Sequence, residues 1–405
     1  MFKSTSAASV LILAWFSLAL LSTSAICSDV RVSEAPGNDL ALTVETLKSA
    51  RSSIFLNIYD LTSQKVADAL IERIHSGVKV EILEEGAPVS GLSSAAREIQ
   101  KQLVAAMRTQ SASSNHLYEM IQLPGRSGRR FRFDHAKYAV IDGAALLIGS
   151  ENYSPTGNPE PGSIGNRGWE VLVSDPALAS DFHQLFLEDS DLTQGDVRDL
   201  TVQSPSRARN GAVSANLAGP GLNAFPVLHA SKVETILSPE SSLSGLLSLI
   251  THAGVSIDLQ QMTFDSAWNG ADRSPLVDAL VSAAKRGVQI RVLLNDDHTF
   301  DKPGKPARPR NRICVDLLNQ LAQRNGKPNL TARIANVKAM GVDYIHNKGA
   351  LIDGRLTLVS SINWDYNSIL NNREAAIVLT SPEIFNHYEK IFSSDWVLSA
   401  STNRR

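Results

Sequence analysis

Two stretches of the chain carry the same succession of apolar runs and amphipathic segments. In the first stretch, an apolar run at 54–59 is followed by helical spacing at 67–71 and by a second apolar run at 77–83. Short apolar runs rich in β-branched residues predict buried strands, and the amphipathic segment between them predicts a connecting helix. The order strand, helix, strand with short connections is typical of an α/β unit.

The same order returns in the second half of the chain, at 257–262, 277–281 and 287–293. Asp68 and Asp278 occupy equivalent positions that differ by 210 in the numbering. A repeat of this length indicates a duplicated domain rather than a solenoid. The hydrophobic pattern therefore predicts two copies of one α/β domain.

A segment without clear periodicity separates the two copies. It spans 195–230, is rich in Ser, Gly, Asn and Pro, and is predicted to be a linker over the surface. The chain then divides into an N-terminal domain at 28–194 and a C-terminal domain at 231–405, after a leader at 1–27.

The leader has the pattern of a secretory signal. Lys3 supplies a positive charge, an apolar run spans 7–21, and small residues follow up to Ala25. The run is shorter than the roughly 20 apolar residues that span a bilayer. We expect cleavage and a secreted or periplasmic location, with an uncleaved membrane anchor as the alternative.

The composition limits the classes of protein that the chain can belong to. Its 405 residues are 43% hydrophobic and 20% charged, which is typical of a soluble globular protein. With 39 Lys and Arg against 41 Asp and Glu, the net charge of −2 gives no bulk attraction to nucleic acid or anionic membrane. Any recognition of anions must therefore be local. Cys27 and Cys314 provide neither a disulfide framework nor a zinc signature.

Five polar residues recur in one register in both halves. Each differs from its counterpart by 211 positions, and the pairs are His135/His346, Lys137/Lys348, Asp142/Asp353, Ser150/Ser361 and Asn152/Asn363. A histidine and a lysine two positions apart on a strand point to the same face. A neutral imidazole serves as nucleophile or base near pH 7, an imidazolium serves as acid, and the lysine binds an anion.

Two such halves related by a pseudo-twofold would surround one phosphorus with two histidines, two lysines and two asparagines. Neither histidine has a carboxylate cluster beside it in the sequence, so we expect no metal site and no cofactor. The duplicated pattern H-x-K-x4-D followed by G-S-x-N resembles the phospholipase D superfamily. Gly149 matches that pattern, whereas the second copy has Ser360 at the glycine position.

The resemblance implies two α/β domains, each a mixed sheet flanked by helices, with the active site at their interface. It also implies a metal-free mechanism through a phosphohistidine. His135 would be the nucleophile and His346 the acid, although the reverse assignment stays open, and Asp142 and Asp353 would brace turns. The expected phosphate-binding residues are Lys137, Lys348, Ser150, Asn152, Ser361 and Asn363.

An Asn-Arg pair follows each motif, at 166–167 and at 372–373. In the family that the chain resembles, a carboxylate near this position holds the catalytic imidazole in one tautomer. Glu374 fits directly. In the first copy Gly168 is aligned with it, and we predict that Glu170, on the same strand face, takes the role; a solvated carboxylate is the alternative for Glu170.

Together these features predict a secreted phospholipase D-type phosphodiesterase that acts as a monomer at a membrane surface. It would hydrolyse or transfer the phosphatidyl group of phospholipids. One alternative is a nuclease acting on DNA or RNA, which basic segments at 125–132 and 301–312 keep open. A second is cardiolipin-synthase-like transfer, which the lack of a longer N-terminal membrane segment disfavours. A third, a non-catalytic binding protein, is disfavoured by two intact motifs.

Overall fold

The computed structural model describes most of the chain between Cys27 and residue 400. The described residues are 27–109, 115–121, 129–202, 221–268, 270–324, 326 and 328–400. The leader predicted at 1–27 lies outside them except for Cys27. Among the described residues, no helix has the length and apolar character needed to cross a membrane.

The N-terminal half of this region builds one mixed sheet. Its strands are β1 (Ser28–Ala35), β2 (Ser53–Ile58), β3 (Lys79–Glu85), β4 (His116–Met120), β5 (Lys137–Ile141), β6 (Ala145–Gly149), β7 (Gly168–Ser174), β8 (Val197–Asp199) and β9 (Leu228–Ala230). They lie in the order β8-β4-β3-β2-β5-β6-β7-β1-β9. Strands β2, β3 and β4 are parallel to one another, and the other pairings are antiparallel.

The C-terminal half repeats this arrangement in a second mixed sheet. Its strands are β10 (Lys232–Ser238), β11 (Ser256–Gln261), β12 (Gln289–Leu294), β13 (Leu330–Ile334), β14 (Lys348–Ile352), β15 (Leu356–Ser360) and β16 (Glu374–Thr380). Their order β10-β16-β15-β14-β11-β12-β13 matches β1-β7-β6-β5-β2-β3-β4 of the first sheet strand for strand. The predicted duplicated α/β fold is confirmed.

Helices flank both sheets. They are α1 (Asp39–Ser49), α2 (Gln64–His75), α3 (Ser94–Thr109), α4 (Pro176–Asp189), α5 (Ser242–His252), α6 (Pro275–Arg286), α7 (Arg310–Arg324), α8 (Val337–Met340), α9 (Tyr366–Leu370) and α10 (Pro382–Leu398). Helix α6 has start and stop residues that make its position predictable from the sequence. The Ser274 side chain caps its first turn, Pro275 begins it, and Gly287 ends it in a left-handed conformation.

The segment predicted as a linker at 195–230 is partly sheet. Strand β8 pairs with β4 and strand β9 pairs with β1, so both ends of the segment extend the N-terminal sheet. Residues 203–220 lie outside the described residues. Three-residue strands at a sheet edge need no apolar periodicity, which is why the composition pointed to a linker alone.

The two domains share one apolar core at their boundary. Trp169 is fully buried there and stacks on Tyr388 of α10, with ring centroids 4.4 Å apart. The indole also covers Gly349 of β14 so closely that a Cβ at this position would overlap it. Trp169 belongs to β7 and Gly349 belongs to β14, so the two sheets meet at this boundary. This contact brings the two motifs together from opposite domains.

Candidate active site

The two motifs lie at the same edge of their sheets. Strand β5 begins at Lys137, opposite Ile58 at the end of β2, and strand β14 begins at Lys348, opposite Gln261 at the end of β11. We call this the active-site edge, the edge of each sheet at which β5 and β14 begin. Each catalytic histidine of the sequence prediction precedes its strand by two residues.

Each histidine segment is held by the opposite domain. The backbone N–H of His135 donates to the carbonyl of Arg373 at 2.8 Å, and the N–H of His346 donates to the carbonyl of Arg167 at 2.9 Å. Isolated bridges join the same segments, with Asp134 opposite Arg373 and Arg167 opposite Ile345. The site therefore exists only when both domains are in contact.

A carboxylate binds one nitrogen of each imidazole. Nδ1 of His135 lies 2.8 Å from Glu374 Oε2, and Nδ1 of His346 lies 3.0 Å from Glu151 Oε2. The two imidazoles are 14% and 5% exposed, respectively. Burial and the nearby lysine charges lower the pKa of His135 well below its ordinary value, and burial lowers the pKa of His346. In both rings Nε2 is the nitrogen left for substrate.

Glu170 does not take the role that the sequence predicted for it. Its carboxylate accepts hydrogen bonds from Thr43 Oγ1 at 2.8 Å and from Tyr153 at 3.5 Å, and no hydrogen bond among the described residues joins it to a histidine. Glu170 shares the strand face of Gly168 but lies two residues farther along β7, a distance of about 7 Å. Its side chain therefore reaches α1 instead of the active-site edge.

Glu151 is the carboxylate that the sequence analysis missed. It occupies the variable position of the G-S-x-N pattern, where the second copy has Ile362. A Cβ at Gly168 would overlap the Glu151 carboxylate, so Glu151 fills the space of a side chain at that position. The sequence did contain a sign of this arrangement, because the carboxylate changes position between the copies. The first copy has Glu151 and Gly168, and the second has Ile362 and Glu374 at the equivalent positions.

The repeated asparagines hold these carboxylates. Asn166 Nδ2 donates to Glu151 at 2.9 Å, and Asn372 Nδ2 donates to Glu374 at 2.9 Å. Burial raises the pKa of Glu374 to about 7. Burial also acts on Glu151, but the charge and hydrogen bond of His346 oppose it and hold the pKa of Glu151 below its ordinary value. The two imidazoles thus bind carboxylates whose pKa values are shifted in opposite directions.

The two motif lysines are buried beside the histidines. Nζ of Lys137 donates to the carbonyl of His135 at 2.6 Å, and Nζ of Lys348 donates to the carbonyl of His346. The Lys137 ammonium also lies 5.2 Å from the centre of the Tyr59 ring. Burial lowers the pKa of Lys137 to about 8 and that of Lys348 to about 7. An anionic phosphodiester would restore their charge.

The motif serines are structural, which corrects their prediction as phosphate ligands. Ser150 and Ser361 are fully buried. The Ser150 hydroxyl accepts from the backbone N–H of Trp169 at 3.1 Å. The Ser361 hydroxyl donates to Glu374 at 2.6 Å and accepts from the Ala375 N–H at 3.0 Å. Both hydroxyls tie the end of one strand to the start of the next, so neither is free for substrate.

The motif asparagines remain candidates for phosphate binding. The Oδ1 atoms of Asn152 and Asn363 are buried and have no hydrogen-bond partner within the described part of the chain. Each asparagine lies two residues beyond its motif serine, in the loop at the active-site edge. Their predicted role as donors to phosphate oxygens stays a prediction.

The motif aspartates lie at the opposite sheet edge, away from the histidines. Both have a positive φ, 53° for Asp142 and 54° for Asp353. The Asp142 carboxylate accepts from the Ser52 N–H at 2.7 Å, and the Asp353 carboxylate accepts from the Val255 N–H at 2.7 Å. Each aspartate thus joins its turn to the start of a neighbouring strand, in keeping with a bracing role.

Two buried ion pairs cross the domain boundary beside the site. Arg167 Nε lies 2.9 Å from Asp395 of α10, and Arg373 Nε lies 2.9 Å from Asp189 of α4. The arginines and the aspartates are each offset by 206 in the numbering. The offset of the aspartates was a detectable signal that sequence reasoning passed over. These pairs fix the segments that hold both histidines.

Within the described ranges, no group of three or more His, Cys, Asp or Glu side chains is arranged to hold a metal ion. Two of the arginines just before the first motif, Arg129 and Arg130, are used internally. Arg129 pairs with Glu85 at 2.7 Å, and Arg130 pairs with Asp196 at 2.9 Å. They are therefore committed to the N-terminal domain instead of being free for substrate.

Comparison with known proteins gives consistent matches. A family model described as "Cardiolipin synthase, PLD-like domain" matches residues 43–190 and 246–396, well over half of the chain. Cardiolipin synthase B of Salmonella typhimurium is 23% identical over 342 residues, which cover 83% of this chain and 72% of that protein. Mitochondrial cardiolipin hydrolase of Xenopus laevis is 26% identical over 183 residues, covering 42% of this chain and 74% of that protein.

A solved structure shares the fold over nearly the whole chain. The phosphatidylserine synthase of Haemophilus influenzae superposes with a TM-score of 0.65 at 13% identity. The superposition covers 90% of this chain and 85% of that one. Both domains and their relative arrangement are therefore those of a known architecture.

Proposed function

The chain belongs to the phospholipase D superfamily, and from that premise we propose that it is a phosphatidyltransferase of the cardiolipin-synthase-like kind. It would move the phosphatidyl group of one phospholipid to the hydroxyl group of an acceptor alcohol. The observation that carries the proposal is the pair of buried imidazoles, His135 and His346, each bound at Nδ1 by a carboxylate from the opposite domain. Transfer is supported by the similarity to two cardiolipin synthases, which are matched over 83% and 87% of this chain.

The first step forms a covalent intermediate. Nε2 of His135 attacks phosphorus, the bond from phosphorus to the leaving alcohol oxygen breaks, and that oxygen takes a proton from Nε2 of His346. Lys137 and Lys348 would offset the charge on the phosphoryl oxygens. Glu151 opposes the lowering of the His346 pKa by burial, whereas the pKa of His135 falls well below its ordinary value, which supports His346 as the acid.

The second step reverses the first with a new alcohol. The acceptor hydroxyl gives its proton to Nε2 of His346, its oxygen attacks phosphorus, and the bond from phosphorus to His135 breaks. Water in place of the alcohol would give hydrolysis. The low exposure of the imidazoles, 14% and 5%, limits the water around the intermediate and is consistent with an alcohol acceptor.

Product analysis on phosphatidylglycerol tests the proposal. Purified protein should convert two phosphatidylglycerol molecules into cardiolipin and glycerol, with less phosphatidic acid, as followed by mass spectrometry of the lipids. The variants His135→Ala and His346→Ala should each lose nearly all turnover, because residues that act as a unit fail together. His116→Ala is a matched control, since His116 also contacts a carboxylate, Asp199 at 2.7 Å, outside the site.

The alternatives give different products. Phosphatidic acid without cardiolipin would identify a hydrolase of the phospholipase D type. Cleavage of single-stranded DNA or RNA without lipid turnover would identify a nuclease. Retention of half the activity in either histidine variant would contradict a single composite site.

A further inference from the structure

Three loops meet at the active-site edge, and each carries an exposed apolar side chain. They follow β3 at 86–93, β6 at 150–167 and β12 at 295–309. Strand β3 is parallel to β2 and β12 is parallel to β11, so both end at this edge. Strand β6 is antiparallel to β5 and also ends there. The apolar side chains are Val89, Ile164 and Phe300, which are 82%, 65% and 39% exposed, respectively.

Short chains of contacts join the first and third of these loops to the catalytic histidines. The Val89 N–H donates to the Tyr59 hydroxyl at 2.8 Å, and the Tyr59 ring lies 4.7 Å from the His135 ring. Phe300 lies 5.3 Å from the Tyr344 ring, which lies 5.7 Å from the His346 ring. The exposed apolar side chains are therefore close to the place where a substrate must enter.

The Ile164 loop is tied to the same rim. The carbonyl of Gly165 accepts from the Asp343 N–H at 2.9 Å, and Asn166 donates to the Tyr344 hydroxyl at 3.3 Å. Residues 163–166 thus lie next to the segment that leads to His346. Two loops of the N-terminal domain and one of the C-terminal domain together enclose the entrance.

Positive charge accompanies the apolar side chains. Lys302, Lys305 and Arg308 are exposed, and their side chains form no ion pair within the described residues. The nearby acids are engaged, since Asp301 accepts from the Ala307 N–H and Asp297 accepts from backbone N–H groups at the start of α7. These carboxylates keep their charge, but residues 301–310 hold four basic side chains against the single acid Asp301, so this part of the loop presents net positive charge to an approaching surface.

A cavity of about 270 Å³ lies within this basic loop, between Phe300 and Arg308. Met262 also lines it, and the Met262 sulfur lies 3.6 Å from Nζ of Lys348. The Met262 side chain thus lies between the cavity and the buried lysine. Arg308 and Arg310 line the cavity together with the single acid Asp297, so its basic side chains outnumber its acidic ones.

We propose that Val89, Ile164, Phe300 and the basic loop at 301–310 form one docking surface for an anionic phospholipid bilayer. The inference rests on the proposed function and extends it, because it identifies the face of the molecule that meets the membrane. Exposed apolar side chains beside lysine and arginine bind a bilayer through burial in the interface and attraction to anionic lipids. A nucleic acid would use the charges and stack a base on Phe300, but it would leave Val89 and Ile164 in water.

Vesicle sedimentation tests the surface directly. We expect the purified protein to bind vesicles of phosphatidylcholine and phosphatidylglycerol, and to bind much less to phosphatidylcholine alone. The variant Val89→Asn/Ile164→Asn should lower the partition coefficient about 10-fold or more, because two exposed apolar side chains no longer enter the interface. Val255→Asn is the matched control, since Val255 is 66% exposed at the opposite sheet edge and should bind as the unchanged protein does.

The outcomes separate this inference from the proposed function. Turnover of a soluble phosphodiester should stay within about twofold in the double variant, which shows that the fold and the site are intact. Unchanged vesicle binding by that variant, or an equal loss in Val255→Asn, would overturn the docking surface whatever the activity. Binding to single-stranded DNA that falls in Arg308→Ala, without vesicle binding, would overturn it in favour of a nucleic acid. Vesicle binding without lipid transfer would refute only the function.

Discussion

The carboxylate that contacts His346 can be moved to another position by two substitutions. Glu151 and Gly168 correspond to Ile362 and Glu374 in the second domain, where both side chains are fully buried. We predict that Glu151→Ile removes most of the activity. Adding Gly168→Glu to that variant should restore part of it, because the new carboxylate enters the space that Glu151 leaves.

The size of the loss follows from the contact that is removed. The hydrogen bond from His346 to Glu151 is 3.0 Å long, and the two side chains are 5% and 4% exposed. A buried hydrogen bond to a charged group contributes about 1.5–3 kcal/mol. At 1.36 kcal/mol for each factor of ten, kcat/KM should fall about 10- to 150-fold in Glu151→Ile. Gly168→Glu alone should destabilise the protein, since its side chain would overlap Glu151.

The assay is kcat/KM on a soluble short-chain phosphatidylglycerol, whose glycerol leaving group needs a proton from His346, measured across pH together with the melting temperature of each variant. Glu170→Gln serves as control, because burial raises the pKa of Glu170 to about 8 and its carboxyl contacts Thr43 instead of a histidine. That variant should keep the pH profile of the unchanged protein. Full activity in Glu151→Ile, or a folded double variant no better than Glu151→Ile, would refute the proposed exchange of positions.

Three further predictions concern charge and stability. In a pH-rate profile, kcat/KM should fall above about pH 7–8. Lys348 and Lys137, with pKa values of about 7 and about 8, lose their protons in this range and can no longer offset the charge of the substrate. A flat profile through this range would contradict the prediction. Asp142→Ala should lower the free energy of unfolding in urea by about 1–3 kcal/mol yet keep kcat, because it removes hydrogen bonds at the sheet edge opposite the site; a loss of kcat at full stability would contradict the bracing role. Asp395→Ala should cost about 3–5 kcal/mol in the same measurement, because Arg167 loses its buried partner, and Asp395→Ala/Arg167→Met should recover part of that loss.

Much of the fold could be predicted from the sequence because its buried elements are regular. Strands β2 and β3 and the helix between them carry apolar runs that are distinct from their flanks, and their counterparts in the second domain repeat the pattern. The register of His135 and Lys137 against His346 and Lys348 made the duplicated site visible. The short strands β8 and β9 were missed because edge strands of three residues leave no apolar period.

The partners of the histidines could not be read from the chain, because they are set by contacts between domains. The Glu374 carboxylate does contact a motif imidazole, but that imidazole, His135, belongs to the other domain. We predicted Glu170 as a partner of a histidine because it lies on the same strand face as Gly168. The strand face does not tell how far a residue lies from the sheet edge, and Glu170 lies too far from it. Glu151 can be recognised as the partner of His346 only once the structure shows that its side chain fills the space beside Gly168.

The covalent intermediate is the most direct test of the two-step transfer. His346→Ala lacks the acid, but a p-nitrophenyl leaving group needs no proton, so the first step should still occur slowly and the second should stall. Mass spectrometry of this variant after reaction with bis(p-nitrophenyl) phosphate should find acid-labile phosphorus on His135, and His135→Ala should carry none. Absence of an adduct from both variants, together with inversion at a chiral phosphorus in the unchanged protein, would contradict a phosphohistidine and indicate direct attack by the acceptor.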